Sequence, residues 1–170
     1  MDLKKYLFRL TANHPDSWLS KGQELKRGAD FMHGSNVQLY MLLMGFCFEN
    51  LLKGILICDD LKKESKLTLK NWPGLSHNLL LLCKQCKFAI NEREKNVLNR
   101  LTIFAVYRGR YPVPVEPKGY NEVRRHESGS IGADIYYGSD DPQTIKVIYE
   151  RLEAKLKLNI RYLNKLQKTN

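Results

Sequence analysis

The chain has 170 residues, 43% of them hydrophobic and 27% charged, which is the composition of a folded globular protein and excludes a disordered or fibrous one. Its formal net charge is +10, from 28 basic against 18 acidic residues, a balance that favours anionic partners such as nucleic acid, a nucleotide or an acidic protein. Length alone fits a single domain, here 1–170, able to bury roughly 70% of the surface of its unfolded chain.

Residues 1 to 12 carry Leu3, Tyr6, Leu7 and Leu10 and are expected to form a short amphipathic turn; the stretch is too charged and too short to be a signal peptide. Pro15-Asp16 opens a first helix through Trp18, Leu19, Leu25 and Ala29, weakened by Gly22 and Gly28. Ser35 is expected to cap a second helix from Asn36 to about Cys58, with Asp59-Asp60 ending it. The run Leu39 to Phe48 is about half of a bilayer span and continues into Glu49, Asn50 and Lys53, so it reads as a buried core helix and not a membrane anchor. Leu61 to Asn71 reads as a charged connection, and Trp72-Pro73-Gly74 as a turn.

Ser76 is expected to cap a third helix, His77 to about Phe88. Asn91 with Glu94 three residues on forms a capping box for a fourth, Glu92 to about Tyr107. Gly109 to Asp140 is broken by prolines and glycines; Val123 to His126 and Ile135 to Tyr137 could pair there as a short β-hairpin. Asp141-Pro142 opens the last helix, to about Lys168, with a stripe of Ile145, Ile148, Tyr149, Leu152, Leu156, Leu163 and Leu166 and a Glu153–Lys157 pair one turn apart. The expected fold is all-α, an up-and-down bundle of four to five helices with one long loop before the last.

The four cysteines, Cys47, Cys58, Cys83 and Cys86, lie in apolar segments and read as buried free thiols of a reducing, cytoplasmic compartment. Cys83-Lys84-Gln85-Cys86 has half the spacing of a zinc knuckle, but no second pair follows, so no metal and no cofactor is expected. The long loop is the main functional clue. Arg108, Arg110 and Tyr111 stand at a helix end, followed by Arg124, Arg125 and His126. Guanidiniums match phosphate and tyrosine stacks on bases, a mixture suited to RNA or a nucleotide. Arg100 and Tyr107 extend that surface along the fourth helix; the competing reading is a solvated helix side and arginines that cap carbonyls. Glu49 pairs with Lys53 one turn on, or orients Arg108 or Arg110; His77 is expected to cap or pack, with any acidic partner supplied by tertiary contact.

The segments Phe48-Glu49-Asn50-Leu51-Leu52-Lys53-Gly54-Ile55-Leu56, Gly74-Leu75-Ser76-His77-Asn78-Leu79 and Arg110-Tyr111-Pro112, each at its place among the helices, together resemble HEPN domains. The resemblance covers roughly residues 35 to 165. It implies a helical bundle, commonly a homodimer, from prokaryotic defence, toxin-antitoxin and RNA-cleaving systems. Catalytic members of that group place four to six residues between an Arg and a following His. Here six residues separate Arg100 from Tyr107, which stands where the His would be, and Arg124 and Arg125 stand too close to His126, so the resemblance implies a non-catalytic or divergent member. Three functions stay open: an RNA- or nucleotide-binding module, a regulatory dimer that binds a protein partner, and a divergent metal-independent ribonuclease.

Overall fold

The computed structural model describes residues 14–62, 76–108 and 138–169, with the side chains of 107, 108 and 167–169 outside it. Among the described residues there are five α-helices and one π-helical turn, and no strand. They are α1 (Pro15–Met32), α2 (Val37–Lys62), α3 (Leu79–Gln85), α4 (Glu92–Ile103), the π turn (Phe104–Arg108) that prolongs α4, and α5 (Asp141–Thr169). The all-α bundle expected from the sequence is the fold. The amphipathic turn of residues 1 to 12, most of the 61–71 connection and the hairpin suggested within 109–140 lie outside the described residues.

α2 is the axle of the bundle and packs against every other element. Apolar residues occupy all its sides, and Met41, Met44, Cys47, Phe48, Leu51, Leu52, Ile55, Ile57 and Cys58 have no exposed surface. By length and composition this helix could cross a membrane, but 72% of its most apolar window is buried inside the bundle. Burying each large aliphatic side chain contributes on the order of 1.5–3 kcal/mol, so α2 supplies much of the core's stabilisation. Its partners contribute Ala29 from α1, Leu79 and Leu82 from α3, Val97, Leu98 and Leu101 from α4, and Ile145, Ile148, Leu152 and Leu156 from α5.

Two small residues let neighbours approach α2 closely. A Cβ on Gly54 would stand 2.9 Å from a Leu156 methyl of α5 and 3.0 Å from Trp18 of α1. One on Gly45 would stand 2.9 Å from the Leu101 carbonyl oxygen and 3.0 Å from Ala105 Cβ. The second contact seats the end of α4 and the start of the π turn directly on the α2 backbone.

The helix ends differ from expectation in instructive ways. The α1–α2 turn passes through Gly34 at φ +87°, a conformation that suits glycine. Asn36, not Ser35, caps α2, its side chain accepting from Leu39 N–H at 3.0 Å, while the Ser35 hydroxyl donates to the Met32 carbonyl. α2 does not stop at Asp59-Asp60 but runs to Lys62, which pairs with Asp59 at 3.3 Å and donates to Asn159 of α5 at 2.9 Å. Asn78 caps α3 through Leu81 N–H, and Ser76 accepts from the Asn78 N–H instead.

α3 ends before Phe88, in a Schellman arrangement: Phe88 N–H donates to Cys83 O and Lys87 N–H to Lys84 O, with Lys87 left-handed at φ 49°. α5 closes this joint from outside. Lys155 donates to Cys86 O at 2.9 Å, and Arg151 donates to Ala89 O at 2.5 Å, pairs with Glu94, and lies 4.7 Å over the Phe88 ring. The Asn91–Glu94 capping box forms as the spacing requires, with both reciprocal hydrogen bonds present.

The stripe of α5 packs as expected from Ile145 to Leu163, whereas Leu166 is exposed. Glu153 and Lys157 pair at 3.0 Å. Glu153 also accepts from Gln23 of α1 and from the Tyr149 hydroxyl, tying α1 to α5.

Candidate functional site

Glu49 and Lys53 lie one turn apart on α2 and form an ion pair at 2.5 Å, with side chains only 9% and 6% exposed. The pair expected from their spacing is therefore present, but it is buried and it is not alone. His77, two residues before α3, places Nδ1 3.0 Å from each carboxylate oxygen of Glu49. The sequence suggested a capping or packing role for His77; the imidazole turns instead to α2, because Asn78 does the capping. One carboxylate thus bridges a buried ammonium and an imidazole that is 41% exposed.

Local structure explains how the three residues meet. The His77-Asn78 segment is pinned on its other side to α4, where Leu79 N–H donates to Thr102 Oγ1 at 3.2 Å and that hydroxyl donates to Leu98 O. Gly45, one turn of α2 before Glu49, carries the Leu101 carbonyl and Ala105. α2, the entry to α3 and the C-terminal end of α4 therefore converge on one place. A π turn forms at that end of α4, a local geometry found often at functional sites.

The carboxylate accepts only, so the Nδ1 edge of His77 donates to it and Nε2 is the nitrogen turned away from Glu49. Lys53 fixes the carboxylate from behind. Such an assembly can hold an imidazole in one tautomer and present Nε2 for hydrogen bonding or proton transfer. It is a poor device for stability alone. Removing two charges from water costs several kcal/mol, which their attraction repays only with additional hydrogen bonds.

Arg100 is the other expected site residue with a described side chain, and it faces Asp141. Its Nε and Nη2 donate to the two carboxylate oxygens at 3.0 and 2.5 Å, and both side chains are nearly buried, at 11% and 6% exposed. Asp141 also accepts from Gly138 N–H at 3.1 Å. The neighbouring Arg93 pairs with Asp140 at 2.9 Å. Arg100 is thereby a clamp between α4 and the start of α5, 41 residues apart, rather than one of a row of solvated cations on α4. Tyr107 and Arg108 belong to the π turn by backbone, with their side chains outside the described residues. Arg110, Tyr111, Arg124, Arg125 and His126 also lie outside them, as does any contact of Glu49 with Arg108 or Arg110.

Sequence reasoning found Glu49–Lys53 but not the link to His77, which joins residues 28 apart through tertiary packing. The available signal was the buried position of an acid directly after the most apolar stretch, since such a carboxylate requires partners. The Arg100–Asp141 pair had no comparable signal. The cysteines are all buried and free; burial pushes Cys83 and Cys86 up to about 12, so both are protonated at neutral pH. No family model, no curated protein and no solved structure matches this chain.

Proposed function

We propose that this chain is a HEPN-like domain that binds RNA or a nucleotide through the basic sequence beginning at Arg108. The observation that carries the reading is the seating of the α4 end. The π turn is pressed on α2 at Gly45, one helical turn from Glu49 and beside the segment that bears His77. The chain leaves that turn directly into Gly109-Arg110-Tyr111 and, further on, Arg124-Arg125-His126. Cationic and aromatic side chains there suit phosphate and base, and a net charge of +10 supports attraction of a polyanion from a distance. A homodimer and a role in a defence or toxin-antitoxin system follow from the HEPN resemblance, a cytoplasmic location follows from the buried free thiols, and all belong to the same reading.

Fluorescence anisotropy with a labelled single-stranded RNA tests it. Affinity is expected to fall steeply as salt rises, because each neutralised phosphate releases counterions. Arg108→Ala combined with Arg110→Ala is expected to weaken binding about tenfold or more, each cation contributing on the order of 1 kcal/mol. Binding that ignores salt, or no binding at micromolar protein, rejects the reading. Copurification of one acidic protein in place of nucleic acid would favour the regulatory alternative.

A further inference from the structure

Leu158, Tyr162 and Leu166 follow one another at four-residue intervals along the C-terminal part of α5, so they share one face of that helix. They are 66%, 52% and 39% exposed, while Leu156, Ile160 and Leu163 bury the opposite face. Single exposed apolar residues are ordinary, but a stripe in helical register is a contact surface without its partner. The surface there is concave: Leu158, Arg161, Tyr162, Asn164 and Lys165 line a groove of about 470 Å³. Lys62, at the end of α2, stands 5.5 Å from the Tyr162 ring and donates to Asn159, so α2 holds the inner edge of this face in place.

Charge states what fits. From Ala154 to Asn170 the sequence holds Lys155, Lys157, Arg161, Lys165 and Lys168 and no acidic residue. Lys155 is spent on the Cys86 carbonyl and Lys157 on Glu153, but Arg161 forms no hydrogen bond or ion pair among the described residues. Arg161 and Lys165 each follow a member of the stripe by three residues, so they flank it one turn apart. A second copy would set these cations against their equals, on a chain already at +10. A bilayer needs a projecting apolar face rather than a recessed one. The stripe spans roughly 12 Å, the length of about two helical turns, far below the 20–30 residues a side of a standard interface between folded domains. We propose that this groove docks a short acidic amphipathic helix of a partner protein. The apolar side of that helix lies on Leu158, Tyr162 and Leu166, and its carboxylates meet Arg161 and Lys165. The surface uses nothing of the basic sequence after Arg108, so it stands independently of the RNA-binding reading.

The test uses the full chain and a labelled synthetic peptide about four helical turns long, with leucine along one face and glutamate on both flanks. A counterpart with lysine for every glutamate is the control, and anisotropy reads both. The acidic peptide is expected to bind in the micromolar range and the basic one at least about tenfold more weakly. Leu158→Ser combined with Tyr162→Ser is expected to weaken the acidic peptide at least about tenfold at unchanged circular dichroism and urea midpoint, since both side chains are more than half exposed. Arg161→Glu combined with Lys165→Glu is expected to reverse the preference and favour the basic peptide. Equal binding of the two peptides, equal affinity in the variants, or no binding at millimolar peptide overturns the proposal. Sedimentation showing that the Leu158 and Tyr162 changes split a dimer overturns it in favour of a second copy. Phosphatidylserine vesicles that bind through the same residues while the acidic peptide does not overturn it in favour of a membrane.

Discussion

Lys87 holds a left-handed backbone at φ 49° in an exposed position after α3, where a Cβ costs energy and glycine does not. Lys87→Gly is expected to stabilise the protein by about 0.5–1 kcal/mol, measured as a raised urea midpoint at unchanged slope. Glu49 is the opposite case. Replacing the carboxylate that Lys53 and His77 share by glutamine is expected to cost about 3 kcal/mol, lowering Tm by roughly 6–12 °C. His77→Ala, at the half-exposed edge of the same cluster, is expected to cost no more than about 1 kcal/mol, and calorimetry checks both. Much of this scale is legible in sequence when partners lie within one turn: Asn91 with Glu94 and Glu49 with Lys53 both announce themselves by spacing. Caps are less so, because Ser35 next to Asn36 and Ser76 near Asn78 offer two acceptable oxygens each, and only chain direction decides between them.

Helix by helix, the close contacts of α2 determine what its glycines tolerate. Gly45→Ala sets a methyl against the Leu101 carbonyl, a backbone atom that cannot swing aside, and is expected to destabilise by about 1–3 kcal/mol. Gly28→Ala in α1 meets only a Leu43 methyl at 3.6 Å, an ordinary contact, and is expected to gain about 0.5 kcal/mol of helix propensity. Paired thermal melts of the two variants check both signs, and matching shifts would contradict the packing described here. Apolar periodicity made the helices themselves readable, since α2 is too apolar for any place but the centre and α5 carries a clean stripe. The end of α2 was not readable. Acids inside a helix cost little, and Asp59 gains a Lys62 partner, so Asp59-Asp60 carried no stop signal. Nor was the Glu49–His77 contact, which exists only once α3's entry is laid against α2.

For the molecule as a whole, four thiols sit inside the bundle, and burial pushes Cys58, Cys83 and Cys86 from 9.0 up to about 12 and raises Cys47 as well. A raised folded value means that the folded state keeps a proton the unfolded chain gives up. This stability is complete below about pH 9 and is lost as pH climbs toward 12. Urea titrations from neutral to alkaline pH are expected to show falling stability above about pH 9, with Cys58→Ala reducing the slope. Glu153 acts at the acid end. Burial works to raise its pKa, but hydrogen bonds from Gln23, Lys157 and Tyr149 together lower it, so its contribution holds above the usual carboxylate range and fades as pH falls through the lowered value.

The two arginine–aspartate clamps carry a consequence for how the chain can be rewired. Arg93–Asp140 and Arg100–Asp141 fasten the start of α5 to the same helix that ends at Arg108, so the positions of α4 and α5 are set by contacts between them. Those two side-chain pairs hold the α4–α5 junction together independently of the backbone that joins the two helices. A circular permutant with new termini in that stretch, its old ends joined by a flexible linker, is therefore expected to fold to the same helical content. Charge reversal at Asp140 and Asp141 together is expected to abolish that tolerance.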